Sequence, residues 1–294
     1  MKFHRGMTPI AWNAVSMRKY GWNRFHIGLP PTATDQDIVE RVKEIQREHN
    51  ILVDGKVGSV TYRRIQADRE MAVEDSQSAR GSLLVGGVPK STTFHAVCVG
   101  PHSKWSLIKE SDYTPRDKNP TQVVWHWDAS LSAKSCHRIL AARDVSSHGC
   151  IDNDGTFYQF LDLKHHAAWH AGHRAVNRAS IGIDISNAVS LKYQKHYQRK
   201  HGKRPVIKAT VNGHEYTLLG YYQSQLDRVR DLAKFFEEEF GIPRVWPGHH
   251  NTIANPEDFK GHLAHYHVKK TKWDTAGLPF DYVLGKTDDP KQGD

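Results

Sequence analysis

Two short apolar runs, each ending on a chemistry-bearing side chain, constrain this chain most. Val123-Val124-Trp125 leads into His126, and Ser180-Ile181-Gly182-Ile183 leads into Asp184. Runs of β-branched and apolar residues of this length predict buried strands. The C-terminal ends of such strands project side chains into the crevice where α/β proteins hold ligands. A lone histidine there is commonly a satisfied structural residue. A carboxylate closing a buried strand is costly unless it has a partner or a task. Gly155 to Leu161 predicts a further strand, and Leu226, Val229, Leu232, Ala233, Phe236 and Phe240 predict an amphipathic helix over 224–240. From Thr93 onward the chain reads as α/β.

A third stretch, Ala264-His265-Tyr266-His267-Val268 followed by Lys272-Trp273-Asp274, gathers two imidazoles, an ammonium and a carboxylate before Thr275-Ala276-Gly277. Zinc takes imidazole nitrogen and carboxylate oxygen, and a catalytic site leaves one position for water. This stretch lacks a third protein ligand, which His126 can supply. Among 20 histidines some cluster by chance, and His249, His250 and His267 compete with His265 for the second position. Asp184 then suits a carboxylate that is not a ligand but holds and activates water.

At 294 residues the chain is long enough for one large domain or two smaller ones, and 25% charged with 38% hydrophobic residues describes a soluble globular protein. The net charge of +9 suggests an anionic partner: nucleic acid, acidic lipid or an anionic wall. No recognition helix or basic-aromatic motif accompanies it, so nucleic acid is not expected. Met1 to Gly6 is followed by no apolar run of signal-peptide length, and no stretch approaches the roughly 18 apolar residues of a membrane span. Cys98, Cys136 and Cys150 are an odd count at no metal-like spacing, as in a protein made in a reducing cytoplasm without structural disulfides.

Near the N-terminus, Thr34 or Asp35 can cap a helix from about Gln36 to His49, with Ile38, Val42 and Ile45 on one face. The glycine-rich turn Leu52 to Thr61 leads into a second helix ending near Arg69. By itself, Asp54-Gly55 and Val57-Gly58 is turn chemistry joining two helices. Val42 to Gln46, Val53 to Gly58 and Thr61 together resemble the peptidoglycan-binding domain found beside many cell-wall hydrolases. The resemblance implies a small all-α wall-binding domain over 1–69. Composition then predicts a linker over 70–92, in which Leu83-Leu84-Val85 can pack locally, and a catalytic domain over 93–294. Residues 190–216, strongly basic from Lys192 to Lys208, read as a surface excursion.

Four segments resemble, in order, the zinc-dependent N-acetylmuramoyl-L-alanine amidases of the phage-lysozyme and anhydro-muropeptide type. They are Val123 to Ser130 around His126; Ser146, His148, Ile151, Asp152, Asp154, Gly155, Tyr158 and Gln159; Ala168-Trp169-His170-Ala171-Gly172 with Ser180 to Asp184; and His265 with Lys272-x-Asp274. The likeness covers roughly 120–282 and implies a mixed central β-sheet flanked by helices. It implies zinc held by His126, His265 and Asp274, with His265 preferred over His249, His250 and His267 for its distance from Asp274. It further implies a water-activating Asp184, an oxyanion-stabilising Lys272, and substrate contacts at Trp169, His170 and Asn177. Asp184 stands where the family commonly has glutamate, one methylene longer, and Ser147 where other members have tyrosine.

The implied reaction is hydrolysis of the amide between muramic acid and the stem peptide, with peptidoglycan as both substrate and anchor. With no export signal expected, the implied role is that of a monomeric phage or prophage endolysin, made in the host cytoplasm and released to the wall by a holin. Two rival readings stand beside it. Ser147-His148-Gly149-Cys150 resembles the active-site segment of L,D-transpeptidases, with Cys150 as nucleophile, although Asp152 departs from that pattern. The other is a non-catalytic peptidoglycan-recognition protein on the same fold.

Overall fold

The computed structural model describes residues 6–20, 22–30, 32–65, 68, 81–97 and 113–293. The N-terminal part is helical: α1 (Pro9–Tyr20), a 3-10 turn (Arg24–Ile27), α2 (Asp35–Glu48) and a third helix, α3, at 59–65. Thr34 caps α2 in a reciprocal box with Asp37. Trp22, Ile38, Val42, Ile45, Val57 and Ile65 form a small core of their own. One buried amide organises the turn before α3. Gln46 donates to Asp54 Oδ1 and accepts from Gly55 N, both at 2.8 Å. Gly55 has φ +67°, and a Cβ there would stand 2.9 Å from Val39 Cγ1, so backbone and space both require glycine.

Residues 82–91, expected in the linker, instead form the antiparallel hairpin β1 (Ser82–Val85) and β2 (Val88–Ser91). Leu83 and Val85 join the main core, and the Gln159 amide pairs with both backbone groups of Leu84 at 2.8 Å. The apolar Leu-Leu-Val run overrides its glycine-rich flanks. Residues 70–80 of the expected linker lie outside the described residues, as do residues 66, 67 and 69 and Cys98.

The second part contains β3 (Ala96–Val97), β4 (Tyr113–Pro115), β5 (Gln122–Trp127), α4 (Ala133–Ala142), β6 (Gly149–Ile151), β7 (Phe157–Gln159), β8 (His166–Ala168), α5 (Arg174–Ala179) and β9 (Ser180–Ile185). It continues with α6 (Gln194–Lys200), β10 (Val206–Val211), β11 (His214–Leu219), α7 (Gln223–Phe240), β12 (Gly261–Ala264), α8 (His265–Val268) and α9 (Phe280–Val283). The strand expected over 155–161 is thus confined to β7. A six-stranded mixed sheet runs β12-β5-β9-β6-β7-β3, parallel except between β6 and β7.

Alternation along the two central strands sorts their side chains between faces. Val123, Trp125 and Trp127 of β5, with Ile181, Ile183 and Ile185 of β9, join the main core, where α7 supplies Leu226, Val229, Leu232 and Phe236. Val124 lies on the other face with Ala171, Val176 and Leu263. His126, Gly182 and Asp184 share that face by the same alternation, and register sets His126 directly beside Asp184.

The segment 190–216, expected as a surface excursion, is largely exposed but anchored to the fold at a few buried points. Its basic composition hides an enclosed centre, since Tyr197 and Arg204 are buried. The Arg204 guanidinium lies 4.3 and 4.2 Å from the Tyr197 and Tyr222 rings and donates to Gly220 O, Ser186 O and Asn153 Oδ1 at 2.6–2.8 Å. β10 and β11 form a tight hairpin turning at Asn212-Gly213, both with positive φ. Among the described residues no helix is long and apolar enough to cross a membrane.

Candidate metal centre

Parallel pairing of β12 with β5 delivers His265, the first residue of α8, beside His126 at the end of β5. The loop after α8 then returns Asp274 to the same point. His126 Nδ1 and His265 Nδ1 are 3.1 Å apart, and Asp274 Oδ2 lies 3.1 Å from the first and 3.0 Å from the second. All three residues are buried.

The outer hydrogen bonds assign the ring protons. Ser180 Oγ donates to Val176 O at 2.6 Å, so toward His170 Nε2, 3.0 Å away, it accepts. His170 Nδ1 is then a bare nitrogen that accepts from His126 Nε2 at 2.9 Å. His265 Nε2 donates to Ala171 O at 3.2 Å. In neutral rings this leaves both inner Nδ1 atoms without protons, facing each other and a carboxylate oxygen. Burial favours the neutral His126 ring, pushing it down to about 4 although the nearby Asp274 charge opposes this.

Three lone-pair donors at this separation repel one another unless a cation lies between them. Two imidazoles and one carboxylate are a catalytic zinc donor set, and tetrahedral ligands about 2.0–2.1 Å from zinc stand roughly 3.3 Å apart. The residues fit the ion, and the outer bonds to Ala171 O and His170 are the kind that orient metal-binding histidines.

The donors open on a cleft of about 690 Å³ that also contains Asp184, Lys272, Trp169, His170 and Asn177. Burial raises Asp184 to about 7, the nearby Asp128 charge adds to this, and hydrogen bonding from Ser147 opposes it. Ser147, where other members have tyrosine, donates its hydroxyl to Gly149 O at 3.4 Å. Lys272 is exposed on the cleft wall. Trp169 is 39% exposed and ties its indole N–H to Thr114 Oγ1 at 2.9 Å. Asn177 Oδ1 accepts from Ala171 N at 2.8 Å, fixing the loop whose carbonyl holds His265. His170 sits behind His126 and owes its space to Gly182, where a Cβ would stand 2.4 Å from the His170 ring.

The competing histidines are engaged elsewhere. His267 accepts from Ala264 N and donates to His249 O, both at 2.8 Å, and His250 pairs with the Tyr266 hydroxyl at 2.8 Å. Sequence reasoning missed the roles of Ser180 and Ala171 O. Ser180 opens a predicted strand and a family motif, neither of which marks its contact with His170, and a backbone carbonyl leaves no mark in sequence.

Cys150 is fully enclosed, and burial pushes its thiol well above the ordinary range. His148 has both ring nitrogens occupied, accepting from Gly182 N at 3.0 Å and donating to His166 O at 2.9 Å. This pair offers neither an accessible thiolate nor a free base. Asp128, Cys136 and Cys150 form a second group of neighbouring donors. The Asp128 oxygens, however, already accept from Ser130, Ser186 and Asn187.

A family model described as N-acetylmuramoyl-L-alanine amidase matches residues 116–277, more than half of the chain. Similar solved structures include the amidase AmiD of E. coli, solved in complex with anhydro-N-acetylmuramic acid-L-Ala-D-γ-Glu-L-Lys. It is 18% identical over 70% of this chain and 65% of its own, with a TM-score of 0.39. AmpDH3 from Pseudomonas aeruginosa is 18% identical over 59% of this chain and 61% of its own, with a TM-score of 0.39. The amidase LysC from Clostridium intestinale is 17% identical over 61% of this chain and 93% of its own, with a TM-score of 0.37. The chain thus spans just under two thirds of the length of AmiD and of AmpDH3. A search of curated proteins found no match.

Proposed function

The chain belongs to the N-acetylmuramoyl-L-alanine amidase family, and we propose that it cleaves the amide between N-acetylmuramic acid and L-alanine in peptidoglycan with zinc held by His126, His265 and Asp274. The observation that carries this reading is the convergence of two imidazole nitrogens and a carboxylate oxygen within 3.0–3.1 Å. Bound zinc supplies a Lewis acid that makes water acidic near neutrality and polarises the scissile carbonyl. Asp184 takes the proton of the attacking water and passes it to the leaving L-alanine nitrogen. Lys272, on the same cleft wall, holds the negative charge that develops on the carbonyl oxygen. His170 keeps His126 in the tautomer that leaves Nδ1 bare, and Trp169, beside it on the rim, contacts substrate.

We read the protein as an endolysin whose N-terminal helices anchor it to the wall. The Gln46–Asp54-Gly55 turn and the net charge of +9, complementary to an anionic wall, support this. The cytoplasmic origin and holin-dependent release belong to the same proposal. Retention of all three donor residues disfavours a purely recognising protein.

The test is digestion of purified peptidoglycan, following free alanine amino groups and reducing sugars with chelator and then with added zinc. Amino groups without reducing ends, lost on chelation and restored by zinc, are expected. Cys150→Ala should retain activity within about threefold. Chelator-insensitive cleavage, or activity that disappears with Cys150, would sink the zinc reading.

A further inference from the structure

The hairpin β10–β11 touches the ligand-bearing loop 265–277 at several separate points. The first is aromatic. Tyr216 of β11 stacks on Trp273, with centroids 4.5 Å apart and planes 12° apart. Trp273 in turn meets Trp127 edge-to-face at 4.8 Å. Trp127 follows His126 in β5, and Trp273 sits between Lys272 and Asp274. This column therefore runs from the hairpin, through the loop carrying the lysine and the carboxylate, to the strand carrying the first histidine.

The second point is the hairpin tip. Asn212 donates to Lys270 O at 3.3 Å, while its Oδ1 accepts from Thr252 N at 2.8 Å; the Thr252 hydroxyl donates to Tyr266 O at 2.7 Å. The third is steric. Gly277 lies so close to β10 that a Cβ would fall 2.4 Å from Ile207 Cδ1.

We propose that the β10–β11 hairpin is a clamp that sets the separation of Asp274 and Lys272 from His126, with Tyr216 as its positioning residue. The proposal rests on the reading of His126, His265 and Asp274 as the zinc donors. Removing the Tyr216 ring takes away the partner on one face of Trp273 and frees that indole to swing from Trp127. The two residues flanking Trp273 then drift, and small misplacements of ligands or charged groups cost affinity and rate steeply. Substrate binding along the rest of the cleft is untouched.

The experiment compares full-length wild type, Tyr216→Ala, Tyr216→Phe and Asn212→Gly. It measures zinc affinity by competition with a chromophoric chelator, kcat and KM on peptidoglycan fragments, and Tm. Lys208→Ala, an exposed ion-pair residue of the same hairpin, is the control. Tyr216→Ala is expected to weaken zinc about 10-fold and lower kcat about 10-fold with KM within about twofold. Tyr216→Phe should match wild type in both, and Asn212→Gly should weaken zinc by a smaller factor. Wild-type zinc affinity and kcat in Tyr216→Ala would overturn the clamp. Should Tyr216→Ala not fold, unchanged zinc affinity in Asn212→Gly would overturn it instead. A wild type that takes up no zinc would overturn the donor assignment, a different failure seen before any variant is compared.

Discussion

Asp184 combines a buried position beside His126 with a carboxyl raised to about 7. An acid with a raised value is protonated over a wider range, so its basic form grows as pH rises through neutrality. Cleavage carried by this base should show kcat/KM rising with pH on the acid limb, with the midpoint at or below about 7 once a cation is bound nearby. Asp184→Asn should remove that limb, lower kcat by about 100-fold or more, and leave zinc affinity within a few-fold. An Asn variant with the wild-type pH profile would assign the proton transfer elsewhere. Ser180→Ala removes the acceptor that fixes the His170 tautomer. It is expected to weaken zinc about 10-fold, measured by chelator competition, although Ser180 is not itself a donor in the centre. His126, Asp184 and Asp274 were legible because each closes or follows a patterned segment. The Ser180–His170–His126 chain was not, because it exists only once α5 and β9 are packed together.

Among the elements, the hairpin and its neighbours resisted sequence reading. Seven basic residues between Lys192 and Lys208 mask Arg204, the one among them that is buried. Only the fold supplies its two tyrosine faces and its carbonyl acceptors. Arg204→Ala would leave Asn153 and several carbonyls unpaired in a closed space. It should cost about 3 kcal/mol, seen as a Tm lower by roughly 6–12 °C. A change under about 2 °C would show that water replaces the guanidinium. The opposite error occurred at 82–91, where flanking glycines suggested a linker although Leu83 and Val85 had a core to enter. By contrast, β5, β9 and α7 were readable because their apolar periodicity is long and their burial complete.

At the scale of the whole molecule, six histidines among the described residues are held neutral by burial: His126, His148, His166, His170, His262 and His267 all fall below the usual range, the last two to about 3. The unfolded chain takes up these protons from about pH 6.5 downward, while in the folded chain His126 and His166 stay neutral to about 4, His262 and His267 to about 3, and His148 and His170 well below the usual range. Stability should therefore fall as pH drops through that window, by up to about 1.4 kcal/mol per histidine per pH unit. Asp128, Asp152 and Asp184 are raised and act in the opposite sense, but they are fewer. The Tm of metal-free protein should thus be clearly lower at pH 5 than at pH 7.5, and an unchanged or higher value would mean that these rings are charged in the fold. A different consequence follows from the alternation along β5 and β9. Stability and chemistry are inherited there through interleaved positions of the same two strands. A lineage can exchange Val123, Ile181 or Ile183 for other apolar residues and drift in heat tolerance while its reaction stays fixed. A one-residue insertion or deletion in either strand trades the two faces at once, so these strands are free to change in composition but not in count.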